Sequence, residues 1–185
     1  MRIVGGTRRG LTLEGPERGD TAIRPTSDRV RESLFNVLTN GRAGDRVAGA
    51  RVLDLFAGTG ALALEALSRG AVSATLVERA SKARSIVARN IAKAGFDDAA
   101  TLLGADATRL PPAPPGGPAD LVFLDPPYGR SLGERALASA RDGGWIAPGA
   151  LIVWEESAEI VPPAGFTPGE IRRYGDTKIA FLTFS

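Results

Sequence analysis

A strand that ends in a glycine turn, followed at a set interval by a strand that ends in an acid, restricts the folds open to this chain more than any other feature. Arg51-Val-Leu-Asp54-Leu-Phe-Ala57-Gly58-Thr59-Gly60 reads as a buried strand running into the turn. Ala61 to Arg69 reads as a helix stopped by Gly70, and Ala74 to Glu78 as a second strand whose acid lies 18 residues after Gly60. Gly58 and Gly60 let the backbone turn sharply and approach a ligand. At this interval an acidic side chain can accept hydrogen bonds from a ribose diol. A lone G-x-G occurs in many tight turns, but the helix from Lys82 to Ala94 completes a βαβα unit, stopped at Gly95. Its stripe of Ala83, Ile86, Val87, Ile91 and Ala94 faces a core. The unit therefore predicts a nucleoside-cofactor site.

The remaining chain repeats the pattern. A strand near Ala100 to Leu103 leads to Asp106, where a carboxylate could accept from an adenine amine or cap a loop. Pro111 to Ala119 holds five prolines in nine residues and reads as a stiff irregular loop. The four apolar residues Leu121 to Leu124 read as a strand buried on both faces, ending at Asp125-Pro126-Pro127-Tyr128. An acceptor, two prolines without N–H donors and an aromatic ring at such a strand end suit a flat, amine-bearing substrate. A helix over Leu132 to Ala140, a fifth strand over Gly149 to Trp154 and two β-prone runs around Gly175-Asp176 complete the pattern. The expected class is α/β: a doubly wound, mostly parallel sheet with an antiparallel C-terminal hairpin.

Residues 1–22 carry two short β-prone runs around a turn rich in Gly and Arg. They predict a small β-hairpin that must lie on the main domain, residues 23–185, or on a partner. Arg2, Arg8 and Arg9 fall on or near its turn, where they suit RNA contact or a solvated tip. A helix then starts near Pro25-Thr26-Ser27, with Asp28 in its first turn and Val30, Leu34, Val37 and Leu38 as its apolar stripe. That stripe leaves Arg29 and Arg31 to other, charged faces.

Absences narrow the chemistry. The chain has no Cys and no His. Thiolate or His-ligated metal sites, covalent Cys catalysis and a Ser-His-Asp triad are thereby excluded. The basic residues are lopsided, 20 Arg against 3 Lys, which suits phosphate recognition but equally reflects a composition rich in Ala, Gly and Pro. No signal peptide or membrane-spanning run is recognisable, so a cytoplasmic protein is expected.

Asp54-Leu-Phe-Ala-Gly-Thr-Gly60, Glu78 and Asp125-Pro-Pro-Tyr128, in this order, resemble the Rossmann-like S-adenosylmethionine-dependent methyltransferases. The Asp-Pro-Pro-Tyr form resembles their amino-methylating branch. The runs FAGTGALALEALSRGA and RPTSDRVRESLFN and the MRIVGG start are closely similar to the bacterial small-subunit (16S) ribosomal RNA guanine-N2 methyltransferases of the RsmD type. One departure is Ala63, where that family's pattern has glycine. The resemblance implies S-adenosylmethionine as cofactor, with its methionine end on Ala57, Gly58, Thr59 and Gly60. It further implies Asp54 at the ammonium, Glu78 at the ribose, Asp106 at the adenine, and Arg24 and Thr26 closing over the cofactor. Asp125, the Pro126 carbonyl and Tyr128 would be catalytic, and Arg2, Arg8, Arg9 and Arg29 would meet the RNA. The implied partner is small-subunit ribosomal RNA or the 30S particle, with no metal, no membrane and a monomeric enzyme. The Asp-Pro-Pro-Tyr site by itself would also permit an N6-adenine methyltransferase acting on DNA or RNA.

Overall fold

The computed structural model describes residues 1–16, 27–127, 131–175 and 177–185. Seven strands form one sheet in the order β3-β2-β1-β4-β5-β7-β6. The parallel strands are β1 (Arg51–Leu55), β2 (Ser73–Val77), β3 (Ala100–Leu103), β4 (Ala119–Leu124) and β5 (Ile146–Glu156). β7 (Thr177–Phe184) pairs antiparallel with β5, and β6 (Phe166–Tyr174) antiparallel with β7. The chain winds outward from β1 to β3, then returns to pair β4 with the other side of β1. This is the doubly wound sheet with an antiparallel edge that the sequence predicts. Its reversal of winding lies between β1 and β4, where such sheets open a ligand crevice at their carboxyl ends.

Burial follows the two faces. α1 (Asp28–Asn40), α2 (Ala61–Ser68) and α3 (Ser81–Ala94) share one apolar cluster with Val52, Leu76, Leu121 and Phe123. α4 (Leu132–Asp142) packs Ala136, Leu137 and Ala140 on the other face, with Leu53, Val122, Ile152 and Trp154. Alternation along β4 thus feeds both cores, as a strand covered on both sides requires. Ser27 caps α1 by accepting from the Val30 amide, and Gly95 ends α3 in the left-handed conformation.

Two expectations change in detail. In the N-terminal segment the β-prone runs do face each other, but through a single bridge, Arg2 to Thr12, closed by a 3-10 turn at Gly6–Arg8. Ile3 and Leu13 are buried in the core shared with α1, α2 and α3. Gly6 is left-handed, and a Cβ there would overlap the Ser68 carbonyl oxygen, so the turn sits directly on the end of α2. On α1, Arg31 is fully buried, not on a charged face. The buried positions are 31, 34, 35 and 38, a helical stripe that a count of apolar residues misses because its first member is charged.

Candidate active site at the carboxyl edge of the sheet

The register fixes the site. Leu55 of β1 lies beside Val77 on one side and Leu124 on the other, and Val77 lies beside Leu103. One residue further along each strand come Phe56, Glu78, Asp125 and Gly104. The glycine turn therefore emerges between Glu78 and Asp125. Phe56, Gly58 and Gly60 all have positive φ, at 65°, 59° and 80°. A left-handed non-glycine residue costs about 1–2 kcal/mol, so Phe56 stores strain where the backbone leaves the sheet. At Gly60 a Cβ would come within 3.1 Å of the Leu76 side chain as well as being strained, which accounts for glycine there.

Glu78, Asp54 and Asp106 meet this edge in different states. Glu78 is half-buried and accepts from the Gly58 amide at 3.0 Å and the Ala80 amide at 2.8 Å, so it holds the turn as well as facing the crevice. Asp54 is buried beneath the turn and accepts from the Ala63 amide at 3.3 Å. Loss of water raises its pKa to about 7; the Ala63 hydrogen bond opposes the rise and the charge of Glu78 adds to it. Asp106 caps the short turn Ala107–Arg109, accepting from the Thr108 hydroxyl at 2.8 Å and the Thr108 amide at 2.9 Å. Those bonds, and then the charges of Arg79 and Arg109, hold its pKa below the usual carboxylate range. One Asp106 oxygen makes both bonds to Thr108, and the other pairs with exposed Arg79 at 3.4 Å.

Asp125 is half-buried and Pro126 buried, so the Pro126 carbonyl and the Asp125 carboxylate share the end of β4. Tyr128, Arg24 and Thr26 lie outside the described residues. Ala57 and Thr59 are buried within the turn, where the Ala57 carbonyl accepts from the Gly60 amide at 2.7 Å. The four arginines expected to meet RNA are all exposed. Arg2 reaches Asp28 at 3.7 Å. Arg8 is committed to the fold: its Nε donates to the Ala94 carbonyl at 2.7 Å and its guanidinium covers the Phe96 ring at 5.4 Å. Among the described residues no cluster of acids suits a metal ion, and no helix is long and apolar enough to cross a membrane.

Sequence reading missed a group of buried polar residues behind the turn. Glu65 accepts from the Val4 amide at 2.8 Å and pairs with Arg69 at 2.7 Å. The Ser68 hydroxyl donates to the Gly5 carbonyl and accepts from the Arg8 amide. Arg31 donates to the Arg2 carbonyl and pairs with Asp28 at 2.6 Å; burial lowers its pKa, and the charges of Asp28 and Glu65 oppose this. Asn90 bonds to both Glu14 and Thr59. Their one sequence signal is position, since Arg31 and Asn90 fall within the buried stripes of their helices.

A family profile described as "Conserved hypothetical protein 95" matches residues 1–183. The chain belongs to this family. It is 42% identical over 161 residues to the ribosomal RNA small subunit methyltransferase D of Escherichia coli K12, covering 86% of this chain and 76% of that protein. The protein of the same name from Haemophilus influenzae is 33% identical over 173 residues, covering 90% and 85%. Among solved structures, the Escherichia coli protein YhhF, described as a candidate methyltransferase, superposes with a TM-score of 0.83 at 34% identity, covering 100% of this chain and 98% of its own. The match spans both the N-terminal segment and the glycine turn.

Proposed function

We propose that the chain transfers a methyl group from S-adenosylmethionine to the exocyclic N2 of a guanine in small-subunit ribosomal RNA. The support is the register at the carboxyl edge, with the glycine turn between Glu78 and Asp125-Pro126, together with relatives named as small-subunit ribosomal RNA methyltransferases. Residues 23–185 form the methyl-transfer domain, and residues 1–22 extend it toward the RNA. A ribosomal RNA substrate sets the reaction in the cytoplasm, on free RNA or the 30S particle.

The donor set fits the cofactor. S-adenosylmethionine presents an ammonium group, a ribose diol and an adenine amine, all hydrogen-bond donors, and the edge supplies Asp54, Glu78 and Asp106 as acceptors. A cation near Asp54 would offset the desolvation that raises its pKa. Ala57, Gly58, Thr59 and Gly60 would hold the methionine end, with Arg24 and Thr26 covering it. When bound, the cofactor supplies a methyl group already activated by its sulfonium.

The protein's own task is to prepare the acceptor. A guanine N2 amine is a weak nucleophile because its lone pair is delocalised into the ring. Asp125 and the Pro126 carbonyl would accept its two N–H groups, favour a tetrahedral nitrogen and stabilise the positive charge that grows on it. One well-aimed group of this kind contributes about 3–4 kcal/mol to a transition state. Tyr128 would stack on the base, which must be unpaired or flipped out. No metal is required by this chemistry. Incubation with tritiated cofactor and small subunits, then nucleoside analysis, tests the reading. N2-methylguanosine is the expected product; N6-methyladenosine would replace guanine by adenine, and absence of label would overturn methyl transfer to this substrate.

A further inference from the structure

Asn90 lies on α3 at zero exposure, between the glycine turn and the N-terminal segment. Its Nδ2 donates to the Thr59 carbonyl at 2.9 Å and to the Glu14 carbonyl at 3.0 Å, and its Oδ1 accepts from the Glu14 amide at 2.7 Å. The partners fix the orientation of the amide. Reversed, its oxygen would face two carbonyl oxygens and its NH2 group an N–H. Asn90 thus pairs with Glu14 as a neighbouring strand would, while its second proton holds the cofactor turn. Two further contacts lie beside the junction: at the surface Arg89 pairs with Glu14 at 2.6 Å, and the Thr59 hydroxyl meets the Met1 sulfur at 3.7 Å. Thr59 is flanked by Gly58, whose amide binds Glu78, and by left-handed Gly60.

We infer that Asn90 is a positioning residue that locks the glycine turn to residues 11–14, so that cofactor binding at the turn and order in the N-terminal segment are linked. The inference rests on reading the turn as the S-adenosylmethionine site. One buried amide serves both regions, so a displacement of Glu14 must move Asn90 or leave a buried carbonyl unpaired. An unpaired buried polar group is costly, which makes the coupling stiff. Linkage is reciprocal: if an ordered segment favours cofactor binding, bound cofactor favours the ordered segment by the same factor. A face presented to RNA at the N-terminus would then report whether methyl donor is loaded.

The test uses the full chain and S-adenosylhomocysteine as probe. In the wild type, saturation with the probe should slow hydrogen exchange at the Glu14 amide several-fold. Asn90→Asp keeps the shape but sets a carboxylate oxygen against two carbonyls, and should weaken probe binding about tenfold or more and abolish that slowing. Arg89→Ala removes only an exposed ion pair and should leave affinity within about twofold. A purely structural Asn90 would lower thermal stability in Asn90→Asp while the folded protein keeps wild-type affinity, and that result overturns the inference. So does probe binding by the wild type with no change at Glu14, a measurement that decides the matter even where the variant does not fold. Failure of the wild type to bind the probe at all would remove the methyl-donor reading itself, and the linkage with it.

Discussion

The carboxyl edge of the sheet and the N-terminal segment both abut the glycine turn, yet they are assembled by different interactions. At the edge, parallel backbone register sets the positions: Leu55, Val77, Leu103 and Leu124 align, and the next residue of each strand joins the site. Its acids then bind nearby amides, as Glu78 does at Gly58 and Asp106 at Thr108. The N-terminal segment has one bridge pair, and three backbone hydrogen bonds join its two short runs to each other. It is held by helix side chains that reach its backbone: Glu65 to Val4, Ser68 to Gly5 and Arg8, Arg31 to Arg2, and Asn90 to Glu14. An irregular segment can be carried over a core only if its backbone groups find partners, and here buried polar side chains supply them. The proposed chemistry is thus mounted on strand ends, while the surface expected to meet RNA is mounted on side chains.

Substitutions can break either half of that contrast. The largest effect is expected at Asp125. Asp125→Ala should reduce kcat by about 10²–10³-fold or more while cofactor affinity stays near wild type. Near-normal turnover would remove this edge from the chemistry. For the segment, Gly6→Ala adds a Cβ that overlaps the Ser68 carbonyl at positive φ and should cost about 3 kcal/mol of stability in chemical denaturation. Gly10→Ala, equally left-handed but with open space around it, should cost only about 1–2 kcal/mol. Equal losses would show that strain, not docking on α2, governs the turn.

Smaller effects sharpen the comparison. Glu78→Gln replaces one of two amide-accepting oxygens with a donor and should weaken cofactor binding about tenfold, read by calorimetry. The Asp54 carboxylate should bind the cofactor ammonium best when ionised. With its pKa raised to about 7, affinity should fall about tenfold between pH 8 and pH 6. The sign for stability is the opposite: a carboxyl raised from 3.8 in the unfolded chain to about 7 in the fold stabilises at low pH. That contribution is lost as pH rises through about 7 in cofactor-free protein. A flat affinity profile across this range would remove Asp54 from the ammonium site. Arg9→Ala should weaken RNA binding only a few-fold and lower the salt-dependence slope by about one; an unchanged slope would leave Arg9 a solvated tip residue.

Much of the fold and of the edge was legible in the chain because it depends on local signals. Apolar runs of strand length, glycines at a turn and acids at strand ends identify β1, β2 and β4 and their ligand-facing ends without knowledge of the sheet. The partners of Arg31, Glu65, Ser68 and Asn90 were not legible. Val4 lies 61 residues from Glu65, the Arg8 amide 60 from Ser68, and Glu14 76 from Asn90. A charged or polar residue in a helix reads as a solvent-facing one, since burial without a partner is unfavourable. Only tertiary structure supplies the partner, by folding an irregular backbone against those helices. The sequence by itself therefore determined which strand ends meet at the carboxyl edge. The tertiary structure decided what holds the glycine turn from behind, because that support consists of hydrogen bonds between segments with no local pattern in common.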